Sequence, residues 1–163
     1  MTQEVLDFSR GISEIHLEEV PLGEMMEGVL TFVETDLAKR QISVVRRLYY
    51  NGDCVLDIEK MVRVFYNLAS NAADAMQQGG VLTISTAKIN GELVITFTDT
   101  GIGIPEEIRP KVFEPFYTYG KRHGTGLGLA IVKKIIDDHK GRIEIESELN
   151  KGTSIRLRLP LAL

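Results

Sequence analysis

Asn67-Leu-Ala-Ser-Asn71-Ala-Ala-Asp-Ala75 lies inside a run from Glu59 to Gln77 that carries helical periodicity. At about 100° per residue, Met61, Val64, Phe65, Leu68, Ala72 and Ala75 fall within about 60° of one direction and form an apolar face. Arg63, Asn67, Ser70, Asn71 and Asp74 form a polar sector, with Asn71 on the border between the two. Asn67 and Asn71 stand one turn apart, so both carboxamides reach toward one small object. Asparagine is a weak helix former because its amide competes for backbone hydrogen bonds. The pair reads either as a solvated face or as a carboxamide oxygen at a pocket edge, a hard ligand for Mg²⁺ and a bound phosphate.

Two glycine-rich stretches follow downstream. Asp99-Thr-Gly101-Ile-Gly103-Ile-Pro105 comes directly after a β-branched run. An acid at a strand end with two glycines behind it suits a pocket where backbone closely approaches a planar ligand. An ordinary turn with a helix-capping aspartate is the plainer alternative. Gly124-Thr-Gly126-Leu-Gly128-Leu-Ala130 opens a helix, and helix amino termini hold phosphate through free N–H groups and the dipole. It is not a dinucleotide-binding fingerprint, because no strand precedes it, and it lacks the Gly-Lys-Ser/Thr ending of a Walker loop. Two glycine boxes plus an asparagine helix, in this order, are far stronger than any one alone.

The rest of the chain supplies the frame. Ile15–Val20 reads as extended, and Pro21 suits a helix start, with Leu22, Met25, Met26, Val29, Leu30 and Val33 as its apolar stripe. Ile42–Tyr50 and Cys54–Ile58 read as strands on either side of the turn signal Asn51-Gly52. Val81–Ile89 and Glu92–Asp99 alternate around Asn90-Gly91, a strong hairpin signal. Residues 100–124 are irregular apart from a short helix near Pro105–Val112, and so long an irregular stretch usually serves function. A helix over Thr125–His139 ends at Gly141, and Arg142–Ser147 and Ser154–Leu159 form a last hairpin. The expected fold is α+β: a two-layer α/β sandwich with a mixed, mostly antiparallel sheet and three main helices on one face.

The 163 residues are 44% hydrophobic and 26% charged, the profile of one globular domain that needs no disulfide or metal staple. Cys54, the single cysteine, cannot close an internal disulfide and fits a reducing compartment. A net charge of −4 argues against nucleic acid as partner. No apolar run reaches the roughly 20 residues of a membrane span, and the first residues lack the pattern of a signal peptide. A cytoplasmic domain with no membrane contact of its own is expected, whether or not a parent protein is membrane-anchored.

The motifs together resemble those of the sensor histidine kinases. The asparagine stretch is similar to their N box and Asp99–Pro105 to their first glycine box. Phe113-Glu-Pro-Phe116 is similar to their F box, and Gly124–Leu129 to their second glycine box. Gly152-Thr153, with alternation to Leu159-Pro160, resembles their closing strand. The likeness runs from about residue 15 to 160. It implies the ATP-binding catalytic domain of the gyrase/chaperone/histidine-kinase/MutL superfamily, a Bergerat-type sandwich, over residues 13–163. Residues 1–12 would be the end of a dimerisation helix or a linker.

By position, the resemblance implies a role for each motif residue. Asp99 would accept a hydrogen bond from the adenine amine, Asn71 would coordinate Mg²⁺, and Asn67 would face the phosphates. Gly101 and Gly103 would let backbone approach the nucleotide. Gly124, Thr125, Gly126, Leu127 and Gly128 would cradle the phosphates, and Thr153 would support the adenine end. Residues 113–124 would form the ATP lid, with Lys121 and Arg122 either contacting the γ-phosphate or forming a solvated basic loop.

Position 67 separates the branches of that superfamily. Its hydrolases resemble one another in placing Glu four residues before the magnesium asparagine, as the base that activates water. A carboxamide takes no proton at neutral pH, and losing a general base costs about 10²–10⁴ in rate. Slow hydrolysis and transfer to an imidazole are therefore expected. The same departure ranks a serine kinase of the anti-sigma type and a gyrase-like hydrolase lower. A nucleotide-binding scaffold without phosphotransfer is the alternative reading.

The chain has only His16, His123 and His139 as acceptor candidates. His16 precedes Pro21 by five residues, as in the family's acceptor box, but Leu17 stands where an acid belongs. His139, near a helix end, is expected to interact with the helix dipole. The acceptor histidine is expected on a separate dimerisation domain, with a response regulator downstream. The chain alone is expected to be a monomer that binds ATP and does not label itself.

Overall fold

The computed structural model describes Leu6, residues 14–119 and residues 127–161. Strand β1 (Glu18–Pro21) runs straight into helix α1 (Leu22–Ala38), so Pro21 ends one element and caps the next. There its missing N–H costs nothing. Then come β2 (Ile42–Leu48), β3 (Asp53–Leu56), α2 (Ile58–Ala75), β4 (Gly80–Ile89) and β5 (Glu92–Asp99). A 3₁₀ turn (Glu106–Lys111), α3 (Gly128–Asp138), β6 (Arg142–Glu148) and β7 (Gly152–Pro160) complete the order. Among the described residues, no helix is long and apolar enough to cross a membrane.

Five strands form one sheet in the order β2-β4-β5-β7-β6. Only β2–β4 is parallel, so the sheet is mixed and mostly antiparallel, as expected. Alternation decides its buried face. Leu82 and Ile84, then Leu93, Ile95 and Phe97, then Ile155, Leu157 and Leu159 point into one core. The helices cover that face with Leu30 and Val33 from α1, Val64, Phe65 and Leu68 from α2, and Ile131 and Ile135 from α3. Phe65 and Phe97 stack with ring centroids 5.8 Å apart, joining α2 to β5. Each such side chain contributes about 1.5–3 kcal/mol through burial.

The turn at Asn51-Gly52 does not close a hairpin. β1 and β3 pair with each other in a separate two-stranded sheet, with Val20 opposite Cys54. A buried hydroxyl directs this divergence. Thr86 Oγ1 donates to the Tyr50 carbonyl at 2.8 Å and accepts from the Tyr50 N–H at 3.3 Å. The exit of β2 is thereby held against β4. The turn itself is satisfied from elsewhere: Asn51 Nδ2 donates to Leu48 O at 3.1 Å, and Leu22 N donates to Gly52 O at 3.1 Å.

His139 meets the end of its helix, as expected, and reaches beyond it. It is 4% exposed, and its Nδ1 lies 2.8 Å from the Ile135 carbonyl. A carbonyl only accepts, so Nδ1 carries the proton and Nε2 is left to accept the Asp57 N–H at 3.0 Å. The ring is therefore a neutral bridge that gives its one proton to the helix end. It ties the end of α3 to the cap of α2, where Asp57 Oδ1 accepts from Lys60 N at 3.2 Å and Oδ2 from His16 N at 2.9 Å. Burial lowers its pKa from the ordinary value, against the raising effects of the Ile135 carbonyl, Asp57 and Asp138.

The unfolded chain consequently binds a proton at this residue before the folded one does. Stability is expected to be full above about pH 6.5 and to fall as pH drops toward the lower folded pKa. Urea titrations at pH 7.5 and 5.5 check this. His139→Gln is expected to be less stable at pH 7.5 and to lose less on acidification. An equal loss in both proteins would remove His139 as the cause.

Candidate functional site

The two faces of α2 decide where a ligand fits. Its apolar side buries Met61, Val64, Phe65, Leu68 and Ala72, while Asn71 and Ala75 sit half-buried at the edge of the helical layer. Beside that edge, β5 ends at Asp99, the loop after it turns back across the end of α2, and α3 begins. The space between them is a cleft of about 810 Å³, its open mouth included. Phe97, Ile155, Leu68 and Val112 supply apolar wall, and Asn71, Asp99 and Thr153 supply polar groups.

Asn71, Asp99, Gly103, Gly128 and Thr153 all line this cleft, although they lie up to 82 positions apart in the chain. Asn67 does not line it; its Nδ2 donates instead to the Gly128 carbonyl at 3.3 Å, tying α2 to the first residue of α3. Gly101 borders a neighbouring groove with Gln77 and Asn150. The side chain of Leu127 is fully buried in the core. Lys121, Arg122, Gly124, Thr125 and Gly126 lie outside the described residues, as does most of the expected helix end at residues 1–12.

Asp99 is the buried acid of the site, only 9% exposed. Its Oδ1 accepts the Gly101 N–H at 2.9 Å and the Thr153 N–H at 3.3 Å. Burial pushes its pKa up, and these two N–H groups hold it back, leaving it raised overall. The carboxyl is therefore fixed in orientation by backbone on two different elements. The strand pairing sets Asp99 directly opposite Thr153.

The glycines of the first box are hemmed in by the chain itself. A Cβ on Gly101 would stand 2.5 Å from the Ala75 carbonyl, and one on Gly103 would stand 2.1 Å from the Glu148 carbonyl. The loop is wedged between the end of α2 and the β6–β7 turn. Ile102 N donates to Ala75 O at 3.0 Å, and Asn150 N donates to Ile102 O at 2.7 Å. These two glycines let chain approach chain. Gly128 differs, because a Cβ there would meet nothing within 4 Å.

Residues that pattern reading passed over complete the site. Tyr117 and Tyr119 line the mouth, and Ile104 lines the wall. Ser147 lies behind Thr153 and holds Ile104 N at 2.7 Å. Only its place opposite Thr153 in the last hairpin could have flagged it. The donor set also bears on a metal. Among the described residues, no three His, Cys, Asp or Glu side chains gather as a cation site. The hard donor offered is the Asn71 carboxamide. That suits Mg²⁺, which takes few protein ligands and completes its shell with phosphate and water.

The profile of the family described as histidine kinase-, DNA gyrase B- and HSP90-like ATPase matches residues 56–163. Sporulation kinase C of Bacillus subtilis (strain 168) is 37% identical over 142 residues, which cover 86% of this chain and 33% of that protein. The chain thus spans about a third of that relative's length. The catalytic domain of the histidine kinase ThkA aligns with a TM-score of 0.82 at 30% identity, covering 91% of this chain and 97% of that one. A structure of ThkA in complex with the response regulator protein TrrA aligns with a TM-score of 0.82 at 27% identity, covering 98% and 46%.

Proposed function

The chain belongs to the histidine kinase-, DNA gyrase B- and HSP90-like ATPase family, as the ATP-binding catalytic domain of a sensor histidine kinase, and from that premise we propose how its own residues work. The domain transfers the γ-phosphoryl group of ATP to a histidine on a separate dimerisation domain. The observation that carries this reading is Asp99. Its carboxyl is buried at the cleft and aimed by two backbone N–H groups, an acceptor placed to take the adenine amine. Thr153 lies beside it at the adenine end.

Asn71 would hold Mg²⁺ through its carboxamide oxygen, and the ion would supply neutralisation of the charge that develops on transfer. Gly128 leaves room where the phosphates meet the start of α3. Lys121 and Arg122 belong to the lid, over residues 113–124, and are the γ-phosphate contacts. Asn67 secures the α3 start through Gly128 and, being a carboxamide, cannot serve as a base for water. Phosphoryl transfer then depends on positioning, and the nucleophile is the partner's imidazole.

His139 has both ring nitrogens engaged inside the core, which supports an acceptor outside this domain. On this reading the domain alone is a monomer that binds ATP and does not label itself. A response regulator takes the phosphoryl group from the histidine domain in turn.

Calorimetric titration with ADP, with and without Mg²⁺ and with GDP as control, tests the pocket. A histidine-bearing dimerisation domain supplied in trans with ATP tests transfer. Adenine-selective, Mg²⁺-strengthened binding is expected, followed by labelling of the added domain only. Binding without any transfer would favour a scaffold. For Asn71→Asp, the oxygen ligand remains but a negative charge enters beside the phosphates. ADP affinity in Mg²⁺ is expected to fall at least about tenfold, the scale of one charge-assisted contact. An unchanged Mg²⁺ dependence would remove Asn71 from the metal site.

A further inference from the structure

The Ser147 hydroxyl meets three partners behind the cleft wall. Its Oγ accepts the Ile104 N–H at 2.7 Å, lies 3.0 Å from the Gly152 carbonyl and 2.7 Å from Thr153 Oγ1. A hydroxyl has one proton and two lone pairs. The carbonyl can only accept, so the serine proton goes to Gly152. Ile104 takes one lone pair. The contact with Thr153 is then a hydrogen bond only if Thr153 is the donor. This is the one arrangement of protons in which all three contacts are hydrogen bonds.

The consequence falls on Thr153, which lines the cleft whereas Ser147 does not. With its proton directed back at Ser147, the Thr153 hydroxyl offers the cleft lone pairs alone. Asp99, its cross-strand neighbour, accepts at Oδ1 from Gly101 and Thr153 and likewise presents acceptor oxygen. At this pair of residues the site has two acceptors facing the same ligand edge. An exocyclic amine has two N–H groups to give and matches them. A 6-oxo group sets lone pairs against lone pairs.

Resting on the adenine-nucleotide reading above, we infer that Ser147 is a positioning residue that sets the choice between 6-amino and 6-oxo purines by fixing the direction of the Thr153 hydroxyl. Once Ser147 is removed, Thr153 is free to turn its proton toward the cleft. An oxo group then finds a donor, and discrimination narrows.

The test compares ADP with inosine diphosphate, its 6-oxo counterpart, by calorimetry. The wild-type domain is expected to prefer ADP. In Ser147→Ala the preference is expected to shrink about three- to tenfold, the scale of one neutral hydrogen bond, with the affinity for inosine diphosphate moving more than that for ADP. Ser147→Thr, which keeps the hydroxyl, is expected to restore the preference. In a Thr153→Val background, Ser147→Ala is expected to leave the ratio unchanged, because the group it acts through is gone. Should Ser147→Ala fail to fold, Ser147→Cys keeps the bulk with a poor acceptor and reads the same ratio.

A ratio unmoved by Ser147→Ala, or moved equally in the Thr153→Val background, overturns the inference while nucleotide binding stands. A wild-type domain that binds both diphosphates equally also overturns it. One that binds neither overturns the nucleotide reading and the inference together.

Discussion

Asp99→Asn is expected to lose at least about 100-fold in affinity for ADP while the nucleotide-free domain becomes no less stable at pH 7. Both halves follow from one geometry. Oδ1 of Asp99 accepts the N–H groups of Gly101 and Thr153 at 2.9 and 3.3 Å, so an asparagine there keeps its carbonyl oxygen in that place. The amide cannot flip without setting its NH₂ against two backbone donors. Its NH₂ must therefore take the position of the other carboxylate oxygen. If that oxygen serves the adenine amine, a donor now faces a donor. Losing a hydrogen bond to a charged group costs about 1.5–3 kcal/mol, and stranding a polar group costs about 1–3 more. Together these come to about 2.5–6 kcal/mol, against the roughly 2.7 kcal/mol that a factor of 100 requires.

The stability half depends on the sign of the pKa shift. Burial raises the Asp99 pKa in the folded state, so the folded domain keeps a proton that the unfolded chain has already released. Stability contributed by this group is present below the ordinary carboxylate value and is lost as pH rises through the folded pKa. At pH 7, well above the ordinary carboxylate value, holding this carboxyl in the fold is a standing cost, and the neutral amide removes it. Urea titration at pH 7 and calorimetry with ADP read the two effects on one variant. A variant that loses stability and affinity in step would make Asp99 a structural residue and nothing more.

How far the sequence discloses such a site depends on whether the relevant contact is local. The asparagine helix, the Asn90-Gly91 hairpin and the last hairpin follow from periodicity and turn chemistry within a few residues, and the structure has them near the expected bounds. The separate β1–β3 sheet was not legible. Asn51-Gly52 signals a turn but cannot say which strands pair, and the hydroxyl that settles it, Thr86, arrives 36 positions after Tyr50. The second partner of His139 was hidden for the same reason, since the N–H it accepts from, Asp57, is 82 positions away.

Within the site, residue types were legible and their partners were not. Asp99, Asn71 and Thr153 were picked out by motif, and they line one cleft. Nothing in the motif letters told that Asn67 would reach for the Gly128 carbonyl, or that Ser147 would stand behind Thr153. Glycine was the hardest to read. The letter records that a side chain is excluded, and only the fold shows whether ligand or chain excludes it.

Gly152→Ala turns that distinction into a large effect. Gly152 has φ of 129°, and a Cβ there would stand 2.0 Å from the carbonyl oxygen of Asp99 and 3.1 Å from the Cα of Thr100. Neither atom belongs to a flexible side chain, so β5 and β7 must separate where Asp99 pairs with Thr153. That pairing places the Asp99 carboxyl, so stability and nucleotide affinity are expected to fail together. The backbone conformation alone costs about 1–2 kcal/mol for a non-glycine residue, and overpacking against backbone adds about 1–3 more. Gly91→Ala is the internal comparison. Gly91 also has positive φ, at 78°, but a Cβ there meets nothing within 4 Å, so only the conformational part of the cost applies. Thermal and urea unfolding of the two variants are expected to separate by more than about 1 kcal/mol, with ADP binding lost in Gly152→Ala and retained in Gly91→Ala. If the two alanines cost the same, the backbone of β7 is not what holds the Asp99 carboxyl in place.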